Sequence, residues 1–163
     1  MKNILIIAFT LLFTGTTPAD TVLTRFKTPE GYTQLKVPTG SFAEYLQGLP
    51  LKPVGTHTQT YKGAIAATDV FTAAVVDMSV GYEDLQQCAN AVMRLRGEYL
   101  YHQKRYAEIV FHFESGFKCD YIHYADGYRY RNDHWVLKAK KDYGYATFMR
   151  YMQLVFLCRH PVA

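Results

Sequence analysis

One stretch, YEDLQQCANAVMRLRGEYLY at residues 82–101, constrains the fold more than any other. Its Leu85, Cys88, Val92, Leu95 and Tyr99 recur at steps of three and four, the period that lines residues up along one side of an α-helix. Arg94, Arg96, Glu98 and Gln103 fall largely off that stripe. The spacing therefore predicts a long amphipathic helix whose apolar side turns inward, and a fold in which other elements cover it.

Downstream the period changes to two. In YAEIVFHFESGF, Ile109, Phe111 and Phe113 alternate with Val110, His112 and Glu114, which predicts a half-buried strand closed by Ser115 and Gly116. YIHYADGYRYR reads as a short helical turn or a second strand punctuated by Gly127, and HWVLKAKKD as a further strand. Residues 142–157 return to helical spacing through Tyr145, Phe148, Met152 and Val155. Upstream, Ser41 and Glu44 stand in the relation of a capping box and predict a short helix over Phe42–Gln47, ended by Gly48 and Pro50. HTQTY and FTAAVVDM, on either side of a break at Gly63, read as two strands. Short helix, strands, long helix, strands and helix in that order predict a single α+β domain over residues 20–156.

The first 19 residues carry the marks of a secretory signal peptide. Lys2 supplies the positive end, residues 4–13 an apolar run, and Thr17-Pro18-Ala19 a small-residue cleavage site. That run is well short of the roughly 20 residues a membrane span requires, so a secreted or periplasmic chain without a membrane span is expected. The net charge of +4 is mild and its basic residues are scattered, which argues against a nucleic-acid partner. No phosphate-cradling glycine loop and no G-x-S-x-G elbow is present, and no cofactor is expected. Cys88, Cys119 and Cys158 match no zinc spacing, and an odd number leaves at least one thiol unpaired.

Cys88 is the principal candidate for chemistry, and it has two readings. At the start of a helix, unpaired N–H groups and the macrodipole favour a thiolate, the form that attacks carbonyl carbon. Glu83 and Asp84 beside it oppose that effect. Alternatively, Cys88 lies on the apolar stripe between Leu85 and Val92 as a small core residue. His112, on the polar side of the strand that follows, is the candidate base. Cys119 and His123, four apart, join His112 only as a loosely spaced trio, and no metal site is assigned. Nothing in the spacing fixes Glu114, Asp120 and Asp126 as an acid pair. Tyr121, Tyr124, Tyr128 and Tyr130 suit buried rings better than a glycan-binding groove.

The blocks FKTPEGY, SFAEYLQGLPLKP, AAVVDMSVG, DLQQCANAVMRLRGEYLY and DGYRY, in that order, together resemble an uncharacterised family of secreted bacterial proteins, the domain of unknown function 4846, over residues 26–156. Longer members of that family carry a Gly-His strand with a Val/Ile-rich run further on. A cysteine at a helix start followed by such a histidine is similar to papain-like amidases and peptidases. The resemblance implies the N-terminal part of a papain-like α+β fold, with Cys88 as nucleophile, Gln87 or Gln86 as oxyanion donor, and peptide or peptidoglycan as partner. It also implies a departure at residues 157–163: Cys158 to Ala163, CRHPVA, are what one set of codons for the family's Tyr-Ala-Gly-Thr-Leu-Ser-Leu gives when read out of frame, so the last six or seven residues are expected to be an out-of-frame tail. On that reading the chain is a truncated, inactive relative, and the apolar side of its last helix is expected to lie uncovered.

Overall fold

The computed structural model describes residues 20–158. The signal peptide expected over residues 1–19, and the tail beyond Cys158, lie outside the described residues. Five α-helices are found among the described residues: α1 Val22–Arg25, α2 Phe42–Gln47, α3 Cys88–His102, α4 Tyr121–Ala125 and α5 Tyr145–Leu157. Four short strands among the same residues, β1 Val110–His112, β2 Lys118–Asp120, β3 Tyr128–Arg131 and β4 His134–Leu137, form two separate antiparallel hairpins. The architecture is α+β, as the pattern of periods implied.

The short helix at Phe42–Gln47 has the bounds its sequence predicts. Ser41 Oγ accepts from the Glu44 amide at 3.1 Å, while the Glu44 carboxylate takes the amide of Gly40 at 2.6 Å, one residue further back than in a capping box. Phe42 and Tyr45 pack their rings on Tyr99, at 5.3 and 5.7 Å between centroids, and the Tyr99 hydroxyl donates to Gly40 O at 2.6 Å. α2 is thereby fastened to α3.

The alternating strand is also where it was read. Ile109 and Phe113 are buried, whereas His112 and Glu114 face solvent. Phe111 pairs with Cys119 and His112 with Lys118 across the hairpin, which turns at Gly116. Its partner strand ends at Asp120, whose carboxylate caps α4 through the His123 amide. The second hairpin turns through Asn132 and Asp133, both at positive φ, a conformation Asn and Asp tolerate better than other side chains.

Three expectations are corrected. The first concerns the inward face of α3. Val92 is 64% exposed and Cys88 is exposed, while Asn90, Met93, Arg94, Gly97 and Glu98 are buried. The helix is turned so that Gly97 offers a bare surface to Phe148 and Met152 of α5. Two of the polar side chains it carries inward pair with each other: Arg94 Nε donates to Glu98 Oε1, and Tyr145 Oη donates to the same oxygen, while Arg94 Nη1 and Asn90 Oδ1 are buried without a protein partner.

The second concerns HTQTY and FTAAVVDM, which form no ladder. Gln59 bridges only Ile65 and Val76 only Leu51, and residues 69–71 coil into a 3-10 turn. Turns at Gly55 and Gly63 flank the first segment, and the 3-10 turn runs into the start of the second, so neither has a strand of matching length to pair with.

The third concerns α5. Phe148, Tyr151, Met152, Val155 and Phe156 are buried, so the apolar side expected to lie uncovered is covered. Tyr151 tilts against Phe111, Tyr121 and Tyr124, and its hydroxyl donates to Cys119 O at 2.9 Å. With Tyr101 stacked on Phe148 at 4.5 Å, these rings make the centre of the core.

Candidate functional site

Residues 79–87 lead into α3 through a sequence of local bonds. Gly81, at positive φ, donates its amide to Ser79 Oγ, Gln86 Nε2 donates to Val80 O at 3.2 Å, and the Leu85 amide donates to Glu83 O at 2.8 Å. Gln87 then occupies the N-cap with extended backbone, and its side chain makes no capping bond. Cys88 is the first helical residue and is exposed. The first-turn amides of α3 therefore have no side-chain acceptor at the cap position, and the thiol sits beside them.

Against this entry lies a second wall. Thr60 donates its amide to Ala64 O and Ala66 to Thr58 O, both at 2.8 Å, closing a small hairpin-like loop at Gly63. Asp69 braces its base: Oδ1 accepts from the Thr58 amide at 2.6 Å, and Oδ2 is hydrogen-bonded to His57 Nδ1 at 2.7 Å. The His57 bond chiefly, then the Thr58 amide, holds the Asp69 carboxyl below its ordinary range. Between the two walls is a cleft of about 210 Å³ lined by Gln59, Thr60, Tyr61, Val80, Glu83, Asp84 and Gln86.

The sequence-derived candidates stand apart from one another. Cys88 and Gln87 adjoin on the rim of α3, both exposed. His112 ends β1, exposed and opposite Lys118. Among the described residues no hydrogen bond or ion pair joins Cys88 to His112 or to any other imidazole. Cys119 and His123 part company as well. Cys119 is fully buried, and burial pushes its thiol far above the ordinary value, whereas His123 points outward, bonded to Asp120 and stacked on Trp135. Asp126 is engaged with Lys141 and Tyr143. Tyr121 and Tyr124 are buried rings, and Tyr128 and Tyr130 half-buried ones.

Sequence reasoning passed over three carboxylate–imidazole pairs: Asp69–His57, Asp120–His123 and, at 3.5 Å, Glu98–His102. The three-residue offset of the second is a spacing that could have signalled it; the twelve-residue offset of the first carries no such signal.

These features define a class: an α+β domain with an exposed thiol on the first turn of its longest helix and a small cleft against the loop before that helix, which Cys88 itself does not line. The sequence profile described as Domain of unknown function (4846) matches residues 22–162, and the chain belongs to that family. No curated protein and no solved structure matches it. The profile match extends into the residues read above as out of frame.

Proposed function

We propose that this chain is an inactive relative of papain-like cysteine amidases or peptidases, exported, with Cys88 in the nucleophile's place and with amide bonds of peptides or the cell wall as the ancestral substrates. The observation that carries this reading is Cys88, exposed at the first position of a fifteen-residue helix whose cap supplies no competing side chain. A thiolate there attacks the amide carbon, and first-turn N–H groups, with the Gln87 carboxamide, are the donors at hand for the oxygen that gains charge. Expulsion of the amine requires a proton. None of the described imidazoles is hydrogen-bonded to Cys88, so the tetrahedral adduct collapses back to starting amide. The expected result is a reactive thiol without turnover.

Alkylation mapped by mass spectrometry at pH 6, alongside an assay of peptide and peptidoglycan hydrolysis, tests both halves. Rapid labelling of Cys88 with no turnover supports the reading. Labelling no faster than a free thiol removes the nucleophile. Turnover abolished by Cys88→Ala removes the claim of inactivity.

A second reading, a non-catalytic binding module, is favoured by one observation. Glu83 and Asp84 line the cleft and form no ion pair among the described residues. In that case ligand binding survives Cys88→Ala.

A further inference from the structure

We infer that Asn90 is a positioning residue: it straps the loop of residues 80–87 onto α3 and so sets where Cys88 and the cleft wall stand. The inference rests on the reading of Cys88 as the reacting thiol. Asn90 is the third residue of α3 and only 2% exposed, and its Nδ2 donates to Leu85 O at 2.7 Å. A helix start is ordinarily fixed from outside, by an N-cap side chain that accepts an amide of the first turn. Gln87 makes no such bond. The entry to α3 is fixed from inside instead, by a carboxamide that reaches back past the cap to a carbonyl five residues earlier. Gln86, held to Val80 O, ties the other end of the same loop. Glu83 and Asp84, which line the cleft, lie between Val80 and Leu85, whose carbonyls accept those two ties.

The two halves of the Asn90 amide are not equally served. Nδ2 has its acceptor, but Oδ1 is buried without a protein partner. An unmatched buried acceptor costs at least as much as one hydrogen bond returns, so Asn90 adds little net stability. What it adds is a fixed distance between the loop and the helix. A leucine of similar volume keeps the packing and gives up only that tie. Cys88 follows that loop directly and stands two residues before Asn90 in the helix, so release of the strap loosens the thiol's position together with the loop's.

The test compares the intact protein with Asn90→Leu and Asn90→Asp, and with Val92→Ala on the exposed side of the same helix as control. Urea unfolding establishes that each variant folds. Two readouts follow: the pH profile of Cys88 alkylation, and amide exchange at Leu85 and Ala91, whose amides bond to the carbonyls of Glu83 and Gln87. Both Asn90 variants are expected to exchange about tenfold faster at these amides, with α5 unchanged. They are also expected to change the rate of Cys88 alkylation across that profile, and Val92→Ala to do neither. Unchanged exchange and a superimposable profile in folded Asn90→Leu and Asn90→Asp overturn the inference. Slow alkylation of wild-type Cys88 overturns the nucleophile reading instead, and the strap then stands or falls on exchange alone.

Discussion

Arg94 Nε donates to Glu98 Oε1 at 2.6 Å, with the two side chains 4% and 3% exposed. Tyr145 joins them from α5: its hydroxyl donates to the same carboxylate oxygen at 2.6 Å and accepts from Arg94 Nη2 at 3.1 Å. A buried pair of this kind contributes little against an apolar replacement, yet it is costly to break by halves. Glu98→Ala leaves a buried guanidinium uncompensated and is expected to destabilise by about 3–5 kcal/mol, while Arg94→Met with Glu98→Leu recovers most of that. Tyr145→Phe removes both hydroxyl bonds, for about 1–2 kcal/mol. Urea unfolding of the four proteins measures this, and a loss below about 1 kcal/mol in Glu98→Ala contradicts it.

Two glycines answer differently to the same change. At Gly127, φ is +101° and a Cβ would stand 2.1 Å from Ala139 O, a backbone atom that cannot step aside. Gly127→Ala is expected to cost about 3 kcal/mol or more, since strain and collision add. At Gly97 a Cβ meets Met152 Sδ at 3.0 Å, the far end of a flexible side chain. Alanine there gains about 1 kcal/mol of helix propensity, which offsets the repacking, so the net change stays within about 1 kcal/mol. Thermal melts of the two variants should separate widely.

Asp69 makes the fold sensitive to acid. Its carboxyl is held below the ordinary range by His57 and then by the Thr58 amide. Between the folded and unfolded values the unfolded chain binds the extra proton. The contribution is therefore present above the unfolded carboxylate value of about 4 and is lost as pH falls through the lower folded one. Asp69→Asn should flatten that part of the acid limb, and His57→Ala should raise the Asp69 midpoint in an NMR titration. A midpoint unmoved by His57→Ala refutes the assignment.

What the sequence discloses of this fold is what depends on near neighbours. Ser41 and Glu44 sit three apart, and the helix they start has the bounds they imply. Ile109, Phe111 and Phe113 alternate within five residues, and the spacing of Phe148, Met152 and Val155 marks the buried side of α5. The inward side of α3 escaped because Arg94 and Glu98 become tolerable inside only when Tyr145, 51 and 47 residues away, arrives to share them. Residues 56–78 have strand-like composition but no partner of matching length, a lack no window of sequence reveals. Cys88 was placed correctly at a helix start; whether it faced inward depended on that same rotation of α3. The cleft was invisible, since its walls, Gln59 to Tyr61 and Val80 to Gln86, are distant in the chain and meet only in the fold.

The cysteines carry the last prediction, because structure has sorted them. Cys88 is exposed and Cys119 buried without contact with solvent. Cys88→Ala should leave stability within about 0.5 kcal/mol of wild type. Cys119→Ala opens a small void in the core and should destabilise by about 1 kcal/mol. Burial holds the Cys119 thiol far above its ordinary value, with Asp120 and Cys158 adding to the effect. The folded protein thus keeps a proton that the unfolded chain releases near pH 8.5, so the stabilisation is complete below that pH and declines as pH rises through the folded value. Tyr151, raised chiefly by burial, extends the same decline above about pH 10. Unfolding free energies from pH 7 to 10 should fall with pH in wild type and in Cys88→Ala, and fall less in Cys119→Ala. An equal slope in all three proteins would mean that Cys119 titrates as freely in the folded chain as in the unfolded one, which its complete burial beneath α5 forbids.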